Sequence, residues 1–600
     1  MLTISGYQAI AKIYESENSV VYRGRRAGDG RPVVLKLLRS DYPSPTELTR
    51  YKHEYAVLRN LEAPGVVRAL DLCRHEKGLL LVLEDFGGHA LAHHLQRGRF
   101  DTAAFLLLAI ATTRALRDVH GSRIIHKDIN PSNIVFNRDT GTVKIIDFGI
   151  STRLSREELS IKSPAVIEGT LAYISPEQTG RMNRSLDHRT DLYALGATFY
   201  ELLTGAPPFD AKDAMELVHC HIARDPAPPR ARCPSVPEAL SDIVMKLMAK
   251  TAEDRYQSTA GLLHDLEACQ SRLDAAGEIA PFPLGRADAS GDLRIPQQLY
   301  GRTSEVKALL EAFGRVARGG TELMLIAGYS GVGKSALAHE LYKPITEVRG
   351  YFVAGKYDQL KRSTPYTAIT SAFRDLVRQI VAEPEAQFAE WRSKIKAALG
   401  VNGQVLVDVI PEIELVVGEQ PPVQALGPAE SQNRFVRVLQ NFVRVFCDAE
   451  RPLAVFLDDL QWADAASLRV IELLLTDAGL RGLLVIGAYR DNEVGAAHPL
   501  STALASLRRE GAIVREIAPG PLSTEMVCRM LADALRADAA AVMPLAALVA
   551  RKTGGNPFFV TSSSARCTRP GACGTTPAAR RGRGTSSTSS RGTSPTTSSS

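Results

Sequence analysis

One run constrains this chain more than any other: LMLIAGYSGVGKSALAHELY, residues 323–342. Five apolar residues read as a strand, a glycine-rich stretch follows, and ALAHELY shows helical spacing. Strand, tight loop and helix in that order is the context that the spacing G-x-x-x-x-G-K-S requires. Gly328, Gly331 and Gly333 let backbone amides wrap a phosphate chain. Lys334 then reaches the β- and γ-phosphates, and the Ser335 hydroxyl takes Mg²⁺. The bland reading, a glycine-rich turn by chance, explains the loop but not its flanks.

The rest of that half agrees. From about residue 299, apolar runs (ELMLIAG, LAVFLDD, LLVIGAY) alternate with helical patterns, which predicts an α/β domain with a parallel sheet. LAVFLDDLQWAD ends a strand in two acids. Asp458 is placed to complete a Mg²⁺ shell through water, and Asp459 to orient or deprotonate an attacking water. Arg490, after LLVIGAY, is placed to sense the γ-phosphate, although an arginine just beyond a strand is also an ordinary surface residue.

In the first 270 residues, β-like runs (VVYRG, PVVLKLL, LLLVLEDF) precede helical periodicity, and five elements follow in the order a protein kinase needs. Lys36 lies on a strand, suited to the α/β-phosphates, and Glu54 on the next helix, suited to pair with it. In IIHKDINPSNIVF, Asp128 is the candidate acceptor of a substrate hydroxyl proton and Asn133 a metal ligand. Asp147 opens D-F-G and is the second metal ligand. GTLAYISPEQ (169–178) stands where the activation segment closes, DLYALG begins at Asp191, and Arg255 is suited to bury its guanidinium against Glu177. Each piece alone is weak; the ordered set carries the reading.

This segment resembles the Ser/Thr protein kinase family throughout. The resemblance implies Leu83 as gatekeeper and Glu84–Phe86 as the hinge against adenine. It also marks departures. The family's glycine-rich loop is IYESENSVVY here, with Tyr14, Ser16 and Ser19 at the glycine positions. Serines can still fold a tight hairpin, but Tyr14 adds bulk. Lys127 replaces the usual arginine and cannot form its bidentate fork. Asn130 stands where a lysine is expected and removes a cation near the γ-phosphate, a loss worth about 10²–10³ in rate. Ser155, Ser160 and Ser163 are candidate phosphosites, though polar-loop hydroxyls are usually only solvated.

LYGRTSEV, DDLQWAD, GAYRDNE and TGGNPFF together resemble the STAND class of AAA+-related signalling ATPases over about 299–560. In that class a G-x-P turn touches the nucleotide, which implies Gly555 and Pro557 here, and the ATPase acts as a slow switch controlling assembly. Residues 1–560 thus look like the amino-terminal half of large bacterial multi-domain sensor kinases. The expected fold is multi-domain: an α+β bilobal kinase-like domain over 1–272, a linker over 273–298 rich in Gly, Pro, Ala and Asp, and an α/β P-loop ATPase over 299–560.

Residues 561–600 hold 11 Ser, 9 Thr and six Arg, with no Leu, Ile, Val, Met or Phe. Such a segment cannot bury a core and is expected to be disordered. A reading-frame shift in a GC-rich gene and a native tail both fit. The six arginines also account for the net charge of +6: without them 66 basic residues face 66 acidic ones. The folded part is neutral and gives no sign of a nucleic-acid partner. Eight scattered cysteines without a C-x-x-C pair suggest thiols in a reducing compartment. The apolar run 103–113 is far short of the roughly 20 residues a membrane crossing needs, and reads as a buried helix capped by Asp101.

These features together imply a cytoplasmic enzyme, a Ser/Thr kinase coupled to a regulatory ATPase, using ATP and Mg²⁺ on a protein substrate. A nucleotide-dependent oligomer is a further expectation. The rival reading is a pseudokinase and nucleotide-gated switch that recruits partners without phosphorylating them.

Overall fold

Alternation within PVVLKLL sends Val33 and Leu35 to one face, where both are fully buried, and Lys36 to the other. That strand, β4 (Pro32–Leu38), is central in an antiparallel sheet ordered β1-β2-β3-β4-β6-β5. Its companions are β1 (Leu2–Ile4), β2 (Tyr7–Glu15), β3 (Ser19–Arg26), β5 (Ala69–His75) and β6 (Gly78–Glu84). Register places Lys36 opposite Val21 on one side and Leu81 on the other. The helix Pro45–Asn60 starts in a capping box between Ser44 and Glu47 and brings Glu54 under the sheet. The computed structural model describes residues 2–566 apart from 5, 17–18, 40–43, 62, 76–77, 154–168, 181–185, 212, 289–297, 349, 360–364, 382–384, 448–450 and 536. Ser155, Ser160, Ser163 and most of the Ser/Thr-rich tail lie outside the described residues.

The second lobe is helical. Helices Thr102–Gly121, Arg189–Thr204, Glu238–Leu247 and Thr259–Ala276 share one apolar core. The first is capped as expected, with Asp101 accepting from the Ala104 N–H, and its apolar run is buried. Three short ladders frame the loops between the lobes. β9 (Ile134–Asn137) pairs with β10 (Thr142–Ile145) and with β7 (His89–Ala90), and β8 (Ile124–Ile125) pairs with β11 (Thr152–Arg153).

The stretch 273–298, read from composition as linker, is structured over its first part. The helix runs on to Ala276, and residues 277–288 lie back on the lobe. Asp288, 8% exposed, accepts from the Gln257 and Ser258 N–H groups, and Asp265 accepts from Gly285. The glycines and prolines there shape a strap anchored by two carboxylates, which composition alone does not distinguish from a free linker.

In the second half, β12 (Thr321–Ala327), β13 (Tyr351–Lys356), β14 (Leu453–Asp458), β15 (Leu483–Tyr489) and β16 (Ile513–Ile517) form a parallel sheet ordered β13-β14-β15-β12-β16. Apolar side chains of β12, β14 and β15 fill cores on both faces, as parallel sheets require. Three more helices, Thr524–Leu535, Ala539–Thr553 and Pro557–Arg566, form a lid with its own small core; the last continues six residues past 560. The helix Tyr342–Glu347 packs against the helix Ala214–Ala223 of the first half. Among the described residues no helix is long and apolar enough to cross a membrane.

Candidate active sites

The lysine of β4 meets two carboxylates from different elements. Lys36 Nζ lies 2.8 Å from Glu54 Oε2 and 3.1 Å from Asp147 Oδ1. Burial alone would lower the lysine pKa, but Asp147 and Glu54 outweigh it and hold it above its ordinary value. The same burial pushes Glu54 up to about 7, against the pull of Lys36. Asp147, also penalised by burial, is nevertheless kept below the usual carboxylate range by Lys36. Asp147 holds a left-handed φ of 65°, a strained conformation for a residue with a side chain. The next residue, Phe148, is fully buried against the His126 ring at 4.6 Å, which fixes the turn.

Asp128 and Asn133 come together as the spacing predicts. The Asn133 amide donates to Asp128 Oδ2 and to the Asp128 carbonyl, both at 2.9 Å. Beneath them Asp191, wholly buried, accepts from the backbone N–H groups of His126 and Lys127 at 2.9 and 2.8 Å. Thr170 was marked in sequence only as a landmark of the activation-segment run GTLAYISPEQ, yet its N–H and hydroxyl both donate to Asp128 Oδ1 at 2.8 Å. Asn130 turns toward the same carboxylate. Oxygen donors at Asn133 and Asp147 beside a buried ammonium fit a nucleotide with its divalent metal.

Ser16 and Ser19 close the β2–β3 hairpin. The Ser16 N–H donates to the Ser19 carbonyl at 2.9 Å and the Ser19 N–H to the Ser16 hydroxyl at 3.0 Å. Tyr14 is more than half exposed. At the expected hinge, Leu83 is buried and Glu84 accepts from the Arg68 N–H at 2.9 Å while pairing with Lys144. The Asn137 amide donates to the Phe86 carbonyl. Arg255 forks onto Glu177 at 2.7 and 2.9 Å and donates further to the carbonyls of Ala249, Arg189 and Lys250. This is the buried pair read from sequence.

The second site gathers at the carboxyl edge of the parallel sheet, where β12, β14 and β15 end together. Gly328, Gly331 and Gly333 all have positive φ (153°, 80° and 98°), the backbone freedom the loop needs. Lys334 Nζ donates to the Gly328 and Tyr329 carbonyls at 2.7 and 2.9 Å; burial lowers its pKa, with Asp458 and Asp459 opposing. The Ser335 hydroxyl donates to Asp458 Oδ2 at 3.1 Å, so serine and acid lie where one cation can join them. Asp459, in a left-handed turn at φ 53°, faces Lys356 at 3.3 Å and Arg490 at 3.4 Å. Arg490 also pairs with Glu493 and stacks 4.9 Å over Trp462.

The lid reaches this loop through neighbours of the expected residue. Pro557 starts the last helix, but Asn556 and Phe558 make the contacts: Asn556 Nδ2 donates to the Ser330 carbonyl at 2.9 Å, and the Phe558 N–H to the Gly331 carbonyl at 3.2 Å. Gly555, at φ 72°, lies so close to the Leu522 carbonyl that a Cβ would sit 2.3 Å from it. Arg302 carried no assigned role, yet it is 5% exposed and donates to the Val332 and Gly520 carbonyls, joining the loop to the segment before the lid. Its only sequence signal is its place in LYGRTSEV. Loop, acid pair and cation together fit a magnesium-nucleotide.

Comparison with known proteins agrees with both halves. The protein kinase domain family matches residues 7–266, and the AAA ATPase domain family matches 298–486. Hybrid signal transduction histidine kinase G of Dictyostelium discoideum is 33% identical over 463 residues, 62% of this chain and 13% of that protein. The serine/threonine-protein kinase PknB of Mycobacterium tuberculosis is 35% identical over 243 residues, 39% of this chain and 38% of the relative. A probable serine/threonine-protein kinase of Clostridium perfringens is 32% identical over 263 residues, 44% of this chain and 38% of the relative. The chain therefore spans well under half the length of each.

Proposed function

We propose that this chain, a protein kinase domain joined to an AAA ATPase domain, transfers phosphate from ATP to serine or threonine hydroxyls of a protein, and that its ATPase half regulates this in signal transduction. The observation that carries the reading is the simultaneous pairing of Lys36 with Glu54 and Asp147. One ammonium joins sheet, helix and metal-binding turn, so the positioning that phosphoryl transfer depends on is already assembled.

In this reading Asp128 accepts the proton of the incoming hydroxyl, with Asn133 and Thr170 holding its oxygens. Lys36 orients the phosphates, while Asn133 and Asp147 hold the metal. Bound Mg²⁺-ATP supplies the phosphoryl group and neutralises charge around it. In the other half, Lys334 and the glycine loop hold a second nucleotide, Ser335 and Asp458 its metal, and Asp459 a water. The contact of helix Tyr342–Glu347 with Ala214–Ala223 gives the two halves a shared surface. The relatives named as serine/threonine kinases and as a signal transduction kinase support the same reading.

The test is phosphate transfer from Mg²⁺-ATP to a generic acceptor such as myelin basic protein. Asp128→Asn is expected to lower the rate about 10²–10⁴-fold. Transfer should also be lost in Lys36→Ala and survive in Lys334→Ala. A rate unchanged by Asp128→Asn would sink the kinase reading.

A further inference from the structure

We propose that Asn130 is a positioning residue: a neutral amide clamp that fixes the Asp128 carboxylate against Thr170 and so holds the activation segment on the catalytic loop without a cation. The inference rests on the kinase reading above and goes beyond it by giving a function to the residue that most departs from the family pattern.

Asn130 is 3% exposed, and both ends of its amide are engaged. Its Oδ1 accepts from the Ser132 N–H at 2.8 Å, which decides which way the amide faces. Nδ2 must then point into the site. It donates to Asp128 Oδ1 at 3.0 Å, to Thr170 Oγ1 at 3.1 Å and to the Asp128 carbonyl at 3.2 Å. The Thr170 hydroxyl, accepting from Asn130, donates onward to Asp128 Oδ1 at 2.8 Å. The three side chains form a closed triangle, in which the two Nδ2 protons are shared among three acceptors and the Thr170 hydroxyl proton goes to Asp128 Oδ1.

Chain separation makes the triangle consequential. Thr170 is 42 residues beyond Asp128, so nothing local keeps them together. Gly169 permits the approach: its φ is 107°, and a Cβ there would stand 3.0 Å from the Lys127 carbonyl. A lysine at 130 would bring charge on a flexible stem. The shorter asparagine brings planar geometry instead, and donates to the Asp128 carboxylate without a charge of its own. Its loss should therefore be felt in the placement of Asp128, and in kcat, more than in binding of ATP.

The experiment uses the full chain with Mg²⁺-ATP and a generic Ser/Thr acceptor, comparing Asn130→Ala, Thr170→Val and the double variant, with hydrogen exchange over residues 169–180. Each single change is expected to lower kcat about 30-fold, with KM for ATP within about threefold. The double variant should be little worse than either single one, because the residues act as a unit. Exchange over 169–180 should quicken in both single variants, and Asn130→Lys should restore its protection. A raised KM for ATP at unchanged kcat, independent multiplying effects, or unchanged exchange in Asn130→Ala would each overturn the proposal. Thr170→Val, nearly isosteric, breaks the clamp from the other side should Asn130→Ala not fold. Wild-type transfer no faster than Asp128→Asn would sink the kinase reading, while exchange would still decide the clamp.

Discussion

The two candidate nucleotide sites are assembled by opposite routes. The second is built on a local loop: Gly328, Lys334 and Ser335 lie within eight residues, on one strand, loop and helix, and only its acids, Arg490 and Asn556 come from farther off. The first is assembled from afar: Lys36, Glu54, Asp128, Asp147 and Thr170 come from five segments joined by ion pairs and hydrogen bonds. Where the second has three glycines, the first closes its hairpin with the Ser16 and Ser19 hydroxyls. A local site depends on backbone conformation; a dispersed one depends on buried anchors far from the chemistry.

That contrast can be broken or sharpened by experiment. Arg255→Ala strands the buried Glu177 carboxylate, and should cost about 3–5 kcal/mol, read as a lower melting transition of the kinase half with the ATPase transition unmoved. Loss of both transitions together would mean that the halves are not separable in this way.

Acid should act on the dispersed half too. His221 is wholly buried, accepting from or donating to the Tyr193 hydroxyl at 2.9 Å, and burial, with Lys250 adding to it, lowers its pKa to about 3. Its folded pKa is depressed below the unfolded 6.5, so the folded state binds fewer protons. Stability is therefore full above about pH 6.5 and lost as pH falls toward 3, by roughly 2 kcal/mol at pH 5. Denaturant midpoints at pH 7 and 5 should show this, and His221→Gln should flatten the difference.

Gly331→Ala should strike the local half alone. The residue has positive φ, and a Cβ would meet Phe558 Cβ at 2.8 Å and Asn556 Oδ1 at 2.9 Å. A cost of about 1–3 kcal/mol is expected. It should appear as weaker binding of a fluorescent nucleotide to the Lys36→Ala background, with acceptor phosphorylation by the otherwise wild-type variant little changed. The smallest effect belongs to Ser16→Gly with Ser19→Gly. The hairpin exchanges hydroxyl bonds for backbone freedom, so KM for ATP should move by no more than about threefold. A tenfold shift would show that the serines contribute more than closure.

Much of both sites was legible because their motifs are short and ordered. D-x-x-x-x-N placed Asp128 beside Asn133, and G-x-x-x-x-G-K-S placed Ser335 beside Asp458 once the strands were read. The pairing of Arg255 with Glu177 was also legible, from family spacing alone. The contacts of Thr170, Lys144, Arg302 and Asn556 were not, since each acts on a partner distant in sequence, and the runs GTLAYISPEQ, LYGRTSEV and TGGNPFF mark the place of three of them without naming that partner. The strap 277–288 was misread for a related reason. Gly, Pro and Asp serve a free linker and an anchored turn equally well, and only the buried Asp265 and Asp288 distinguish them.

By itself the sequence determined which chemical groups are present and in what order: two lysines suited to phosphate, their acids, and a parallel sheet behind one of them. Tertiary structure decided what the exceptional residue does. Asn130 looked like a missing charge, because spacing records the residue type and not its neighbours. Folding brings Thr170 to Asp128 across 42 residues and gives the Asn130 amide, beside its local partner Asp128, a second partner that no local pattern could supply.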